Sequence, residues 1–146
     1  LPSELLAAML CAQLEDRDSI QARRQALWSR YSTELAGWAS ATGTTLPRVP
    51  DDREQSFHMF YMLLASADAR EALAAHLRAH GVLAVFHYVP LHRTPMGARH
   101  GGDRFPCPVT DDIAGRLLRL PFFTQMTDDE QATVIGLVRS SSAAGR

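Results

Sequence analysis

The densest group of chemically versatile side chains lies in the segment 86–92, Phe-His-Tyr-Val-Pro-Leu-His. The imidazoles of His87 and His92 can donate or accept a proton near neutral pH, and the phenol of Tyr88 is a directional hydrogen-bonding group. The segment ends a predicted strand and leads into a proline-rich loop, a position where binding residues are common. These residues predict a small-molecule pocket in the 87–107 region. The residues alone leave open the alternative that both imidazoles only satisfy loop carbonyls.

Metal binding is not predicted for this region. The four possible ligands are spaced in a way that matches no common zinc motif; they are His87, His92, His100 and Cys107. Arg99 and Arg104 flank a Gly-Gly pair and offer a weak anion-binding pattern. The two cysteines, Cys11 and Cys107, are far apart and match no redox spacing, so reduced thiols are expected.

The other polar candidates are predicted to be structural. His58 lies in an apolar segment and is expected to be a hydrogen-bonded core residue rather than a ligand. Paired aspartates at 51–52, 111–112 and 128–129 would suit general acid–base chemistry. Two of these pairs directly follow a threonine, however, and negative charge is favourable at a helix N-terminus. We therefore interpret those pairs as helix-cap features.

Composition excludes several classes of function. The Lys+Arg total is 15, and every one of these residues is arginine. Codon bias toward G and C accounts for such a composition, since asparagine is absent as well, but the chain still cannot form a lysine Schiff base. The formal net charge of −1 gives no indication of a nucleic acid or an anionic membrane as partner. No apolar run approaches the roughly 18–20 residues that span a bilayer.

The elements that must position these residues predict an α+β fold. Residues 3–36 predict one long helix, with Ser3 as its N-cap and a polar stretch at 15–19. Its apolar residues are a stripe of Leu6, Met9 and Leu10 and, farther along, Leu27, Tyr31 and Leu35 at intervals of four. A helix that is apolar at both ends and polar between them suits a connector between two packed bodies. Asp68 and Glu71 predict a capping box for the next helix. The other expected elements are strands at 56–65 (buried on both faces), 82–88 and 118–121, helices at 68–80 and 110–118, and an irregular loop at 89–109. Thr127 and Glu130 predict a second capping box, at the start of the last helix.

We divide the chain into a long connecting helix (1–37), a small α+β domain (38–139) and a disordered tail (140–146). The chain starts at Leu1 without a methionine or a leader, and we expect it to be a segment of a longer protein.

Five segments occur in the order in which one protein family has them. They are Leu-Pro-Ser-Glu-Leu-Leu-Ala-Ala at the start, Ala-Gln-Leu-Glu with Arg-Arg-Gln-Ala-Leu-Trp, His-Met-Phe-Tyr from residue 58, the run 84–92, and the run 116–123. Together they resemble the C-terminal part of the DegT/DnrJ/EryC1/StrS sugar aminotransferases, over residues 1 to 139.

The resemblance implies the small C-terminal domain of a fold-type I pyridoxal 5′-phosphate (PLP) aminotransferase, a long connecting helix plus a small sheet covered by helices. Such enzymes are homodimers. The most similar ones transfer an amino group from glutamate to the 4-keto carbon of a dTDP-4-keto-6-deoxyhexose, in cytoplasmic biosynthesis of lipopolysaccharide or common-antigen sugars. The Schiff-base lysine belongs to a larger N-terminal PLP-binding domain, which the resemblance places upstream of Leu1 and outside this chain.

The same resemblance implies a substrate-binding role for His87, Tyr88 and His92. It implies no catalytic, cofactor-binding or metal-binding residue in this segment, which alone is expected to be inactive and to hold no PLP. The stretch 105–108 departs from the family pattern and leaves the exact sugar open. The alternatives are a non-catalytic dimerisation or interaction module and a regulatory domain that binds a small ligand.

Overall fold

The computed structural model describes residues 3–141, apart from the side chain of Asp103. Within this range six α-helices and three short strands form an α+β fold. The helices are α1 (Glu4–Glu15), α2 (Arg17–Thr42), α3 (Ala67–Ala79), α4 (Pro95–Arg99), α5 (Pro108–Arg116) and α6 (Asp128–Ser140). The strands are β1 (Tyr61–Leu63), β2 (Val85–Phe86) and β3 (Leu117–Arg119), and single 3₁₀ turns cover Leu91–Arg93 and Gly102–Arg104.

Helices α1 and α2 replace the single helix predicted for residues 3–36. The side chain of Ser3 caps α1 by accepting a hydrogen bond from the amide of Leu6 at 3.3 Å, as the sequence predicts. The interruption between the helices is the single residue Asp16. It lies in the polar stretch at 15–19, where neither face has apolar side chains to bury.

The predicted end of the long helix near residue 37 is wrong. Helix α2 runs through Gly37 to Thr42 and stops at Gly43, whose φ of 66° is a left-handed conformation that glycine adopts without strain. A glycine inside a helix costs only about 1 kcal/mol relative to alanine, so the buried face of α2 outweighs Gly37.

Helix α2 supplies the centre of the core, whereas α1 contributes nothing to it. Leu27, Tyr31 and Leu35 follow the predicted four-residue spacing and are buried. They pack with buried side chains of the sheet, α3 and α6, which include Phe60, Met62, Leu64, Leu73, Leu77, Leu118, Val134 and Val138. The apolar stripe of α1, by contrast, is exposed, and α1 buries no residue in the described part of the chain.

The sheet is antiparallel, with the order β1-β3-β2. Tyr61 and Val85 both pair with Arg119, on either side of the central strand. Directly opposed residues share a face, and successive residues alternate between faces. Met62 and Leu118 are therefore on the core face and are buried, while the face that carries Arg119 is half-buried.

The strand predicted at 56–65 is much shorter, and only one of its faces is fully buried. Phe57 has a φ of 47°, a left-handed conformation that breaks an extended strand. The carbonyls of Phe57 and His58 accept hydrogen bonds from Arg24 instead of pairing in a ladder. The prediction of a core position for His58 is wrong as well: the residue is exposed, and its Nδ1 lies 3.1 Å from the Ser56 hydroxyl.

Helix α3 is capped by a different residue from the one predicted. The side chain of Ser66, not Asp68, accepts the hydrogen bond from the amide of Ala69 at 3.1 Å. Serine and aspartate are comparable caps, and the earlier residue takes the role because the chain is already helical at Ala67. The strand predicted at 82–88 is reduced to the two residues of β2.

The sequence predicts an irregular loop at 89–109. The structure instead has a series of short helical turns in this segment. Thr94 caps α4 by accepting from the amide of Gly97 at 3.0 Å, and Pro95 starts that helix. Two glycines let the turns stack closely: a Cβ on Gly97 would overlap the carbonyl of Leu91, and one on Gly102 would meet the carbonyl of Gly97 at 2.9 Å.

The close stacking at Gly97 predicts that alanine is unfavourable at this position, in contrast to alanine at an open helical glycine. Gly97→Ala should lower the free energy of unfolding by about 1–3 kcal/mol, because the new methyl group overlaps backbone atoms that cannot move independently. Gly136→Ala is the matched control, since Gly136 lies in α6 with no atom within 4 Å of an added Cβ. It should raise the stability by up to about 1 kcal/mol. Urea unfolding of both variants tests this, and equal midpoints would contradict it.

The C-terminal helix is confirmed in its capping and corrected at its end. Thr127 and Glu130 form the predicted capping box, with amide-to-side-chain distances of 2.7 and 3.2 Å. The start of the predicted tail is ordered, because Ser140 closes α6 and Ser141 is buried against it. Residues 142–146 of that predicted tail lie outside the described residues.

Candidate functional site

A largely apolar cleft of about 410 Å³ opens beside the end of β2. One wall is the continuous segment 87–91, and the other is α5, through Val109, Thr110, Ile113 and Ala114. Cavities of this size, apolar with a few polar groups, are typical of small-molecule sites. The cleft lies within the region where the sequence predicts a pocket.

Tyr88 projects at the mouth of this cleft from a strained backbone. Its φ is 46°, its side chain is 71% exposed, and its ring meets the ring of His87 edge-on at 5.2 Å between centroids. A left-handed non-glycine residue costs on the order of 1–3 kcal/mol, and such residues cluster at binding sites. An exposed aromatic ring at that cost points to a role outside the packing of this chain.

His87 is half-buried, and no described residue satisfies its ring. Its Nδ1 atom is buried with no hydrogen-bond partner among residues 3–141. Buried polar atoms are nearly always paired, so an orphaned one is a feature to explain. The alternative in which His87 only satisfies a loop carbonyl is therefore not what the structure has.

His92 is separated from the other two predicted residues. It lies in the turn that follows the wall segment, with its side chain only 15% exposed and its Nε2 hydrogen-bonded to Oδ1 of Asp111 at 2.9 Å. It faces a second cavity, formed with the stretch 105–108, rather than the cleft of His87 and Tyr88. The structure thus brings His87 and Tyr88 together and leaves His92 outside their cleft.

Asp111 ties the wall segment to α5, a role that the sequence does not reveal. Arg93 binds it in a bidentate arrangement, Nε to Oδ1 at 3.0 Å and Nη2 to Oδ2 at 2.7 Å, beside the bond from His92. These contacts, that of Arg93 first, hold the pKa of Asp111 below its usual value, and they raise the pKa of Arg93. Asp111 lies in the first turn of α5, which partly supports its interpretation as a helix-cap feature. That position gives no indication of its pairing with Arg93, eighteen residues earlier in the sequence.

The pairing predicts an acid-sensitive attachment of the wall segment. Because the pKa of Asp111 is lowered in the folded chain, its stabilising effect is complete above the ordinary aspartate pKa of about 4. That effect is lost as the pH falls through the lowered folded-state pKa. The NMR resonance of the Arg93 Nε–H should therefore shift in acid, and this transition should vanish in Asp111→Asn. Asp112→Asn, which removes only the pair with Arg116, should retain the transition.

The remaining candidates do not assemble. Within residues 3–141, with Asp103 set aside, no three His, Cys, Asp or Glu side chains are grouped to hold a metal ion. Cys11 and Cys107 are both free thiols. The side chain of Arg104 folds over Gly101 at the site of the weak anion-binding pattern. None of the helices in the described ranges has both the length and the apolar character that crossing a bilayer requires.

The sequence profile of the DegT/DnrJ/EryC1/StrS aminotransferase family matches residues 3–139. The chain belongs to this family. The family resemblance inferred from the five segments is thereby confirmed.

Two relatives match most of this chain but only about a third of their own length. The erythromycin biosynthesis sensory transduction protein EryC1 of Saccharopolyspora erythraea is 31% identical, over 95% of this chain and 37% of its own length. The dTDP-3-amino-3,4,6-trideoxy-alpha-D-glucose transaminase of Streptomyces venezuelae is 31% identical, over 93% of this chain and 35% of its own. The chain thus spans about a third of the length of these relatives.

A solved structure has the same fold. The crystal structure of DesV from S. venezuelae in complex with a ketimine intermediate superposes with a TM-score of 0.80 and 31% identity, over 96% of this chain and 36% of that one. The helices and sheet described above therefore correspond to about a third of that protein.

Proposed function

We propose that this chain is the C-terminal part of a PLP-dependent enzyme that transfers an amino group from glutamate to the 4-keto carbon of a dTDP-4-keto-6-deoxyhexose. The observation that carries the proposal is the family match over residues 3–139 in a chain about a third as long as its relatives. The products would be precursors of lipopolysaccharide or common-antigen sugars, made in the cytoplasm.

The residues of this chain do not fit PLP as a covalently held group, because none of the 146 is lysine. When bound, PLP supplies the electron sink and the amino-group carrier of such transfers. We propose that PLP is attached to the remaining two-thirds of the enzyme.

The contribution of this chain would be one wall of the nucleotide-sugar site. Tyr88 and His87 present an aromatic face and an unsatisfied ring nitrogen at an open cleft, which suits binding and orienting a substrate. His92 would act by a different route from the one its sequence position predicts. Through Asp111 it holds the wall segment in place instead of reaching into the cleft.

The exposed side of α1 supports the proposal that further protein packs on this chain. Leu6, Met9 and Leu10 are each more than half exposed, and an apolar stripe of this kind on a helix is normally buried. The rest of the enzyme and the second subunit of a homodimer are the partners we propose for it. Gel filtration of the full-length enzyme, expected to give a dimer, tests the second part.

A second candidate is amination at the 3-keto carbon. The S. venezuelae relative is named for a 3-amino sugar, and nothing in the cleft of this chain selects one carbon over the other. The alternatives of another class, an interaction module or a regulatory ligand-binding domain, would require that no PLP-binding domain accompanies this chain.

Sequencing the gene on the 5′ side of Leu1 and assaying its full-length product decide among these functions. We expect a lysine-bearing domain there, and conversion of glutamate and dTDP-4-keto-6-deoxyglucose to 2-oxoglutarate and a 4-amino sugar. A parallel assay with the corresponding dTDP-3-keto sugar distinguishes the two candidates, because the amino group replaces the keto oxygen of the sugar that is supplied. A gene without such a domain would refute the aminotransferase proposal, and the isolated chain is expected to give no turnover.

A further inference from the structure

The half-buried face of the sheet carries an arginine at its centre. Arg119 lies in β3 between Tyr61 of β1 and Val85 of β2, with which it is in register. All three residues are half-buried, while their neighbours Met62 and Leu118 are sealed in the core. Arg119 therefore stands on the side of the sheet that a ligand or another part of the protein can reach.

No described residue neutralises this arginine. Its Nε is buried without a hydrogen-bond partner, and no carboxylate of the described residues lies within ion-pair distance of its guanidinium. Arg93 and Arg116, by comparison, each hold an aspartate at 2.7 Å or less. Charged groups that lose water on folding are normally paired, so the partner of Arg119 is expected outside this chain.

The unsatisfied groups of Arg119 and His87 meet at the same aromatic ring. The guanidinium carbon of Arg119 is 5.7 Å from the centroid of the Tyr88 ring, and the centroid of the His87 ring is 5.2 Å from the same point. Of these groups, guanidinium is a donor only, and imidazole and phenol can both donate. The ring of Tyr88, whose backbone is strained, thus lies near the side chains of Arg119 and His87, each of which carries a buried nitrogen without a partner in the described part of the chain.

We propose that Arg119, together with Tyr88 and His87, binds the phosphoryl oxygens of the diphosphate in a nucleotide-sugar substrate. A guanidinium can donate two parallel hydrogen bonds to the oxygens of a phosphate. Several hydrogen-bond donors close together suit a diphosphate, because that group has many acceptor oxygens. This assignment deepens the proposed function and rests on it for the identity of the substrate. The group of Arg119, Tyr88 and His87 is cationic and has no neighbouring carboxylate among the described residues, and this observation does not depend on the proposed function.

Binding of dTDP to the 146-residue chain tests the proposal. In an NMR titration, dTDP should shift the resonances of His87 and Tyr88, and thymidine, which has no phosphate, should not. Arg119→Gln should weaken dTDP binding about tenfold or more, the loss of a charge-assisted hydrogen bond, and Arg119→Lys should retain part of the affinity. Arg78→Gln, which removes the same charge from an exposed position on α3, should bind like the wild type.

Three results would overturn the assignment: no dTDP binding by the wild type, equal dTDP affinity of wild type and a folded Arg119→Gln, or Arg119-dependent binding of glutamate without binding of dTDP. Unfolding midpoints of each variant establish that it is folded, and Arg119→Lys keeps the test valid if the glutamine variant is not. The proposed function fails separately. dTDP binding through Arg119 without amine transfer by the full-length enzyme would refute only the function, and turnover with an unchanged KM in Arg119→Gln would refute only this inference.

Discussion

Phe60→Ala should remove a large part of the free energy of unfolding of the protein. Phe60 is fully buried, and its ring packs edge-on to Trp28 at 5.6 Å and tilted against Tyr31 at 5.1 Å between centroids. Truncating a buried phenylalanine costs about 3–5 kcal/mol, against a total of about 5–15 kcal/mol for a typical domain. The loss falls where α2 meets the sheet, so no other contact of the core replaces it.

Urea unfolding, followed by near-ultraviolet circular dichroism, measures this loss. Phe105→Ala is the matched control, since the same truncation at a ring that is 72% exposed should change the stability by less than about 0.5 kcal/mol. A Phe60→Ala midpoint close to that of Phe105→Ala would mean that the packing of α2 on the sheet is not the main source of stability. The Trp28 fluorescence should also change in Phe60→Ala, because its ring loses a partner.

The parts of the fold with local signals are predictable from the sequence, and those fixed by distant partners are not. The capping box at Thr127 and the spacing of Leu27, Tyr31 and Leu35 are local, and both are confirmed. The strand around residue 61 is cut short by Arg24, which lies more than thirty residues earlier in the sequence. No local pattern encodes that contact, and the apolar run at 56–65 therefore predicts too long a strand.

The location of the site is predictable from the sequence, but which of the candidate residues line the cleft is not. An aromatic and two histidines at a strand end point to the cleft region, yet sequence proximity suggests that all three share one site. The 3₁₀ turn after Pro90 carries His92 to the other side, where it meets Asp111. Arg119 has no distinguishing signal in sequence, because only the folded sheet shows that it lacks a carboxylate.

Among the charged residues that do not line the cleft, Arg24 should be the one whose replacement by alanine lowers the free energy of unfolding most. The guanidinium donates from Nε to the carbonyl of Phe57 at 2.8 Å, from Nη2 to that of His58 at 2.6 Å and from Nη1 to the Thr124 hydroxyl at 3.4 Å. It also lies over the ring of Phe122 at 4.9 Å. One side chain thus joins α2 to two loops, one of which holds the left-handed residue Phe57.

Hydrogen bonds to charged groups contribute about 1.5–3 kcal/mol each, and water can reach part of this site, so we expect a loss of about 2–4 kcal/mol for Arg24→Ala. Arg24→Lys should recover less than half of it, because an ammonium group cannot span two carbonyls in the plane of a fork. Arg17→Ala, at an exposed residue paired only with Asp18, is the control and should cost about 0–0.5 kcal/mol. If Arg24→Lys were as stable as the wild type, charge alone would hold these loops, and the planar geometry of Arg24 would have no structural role.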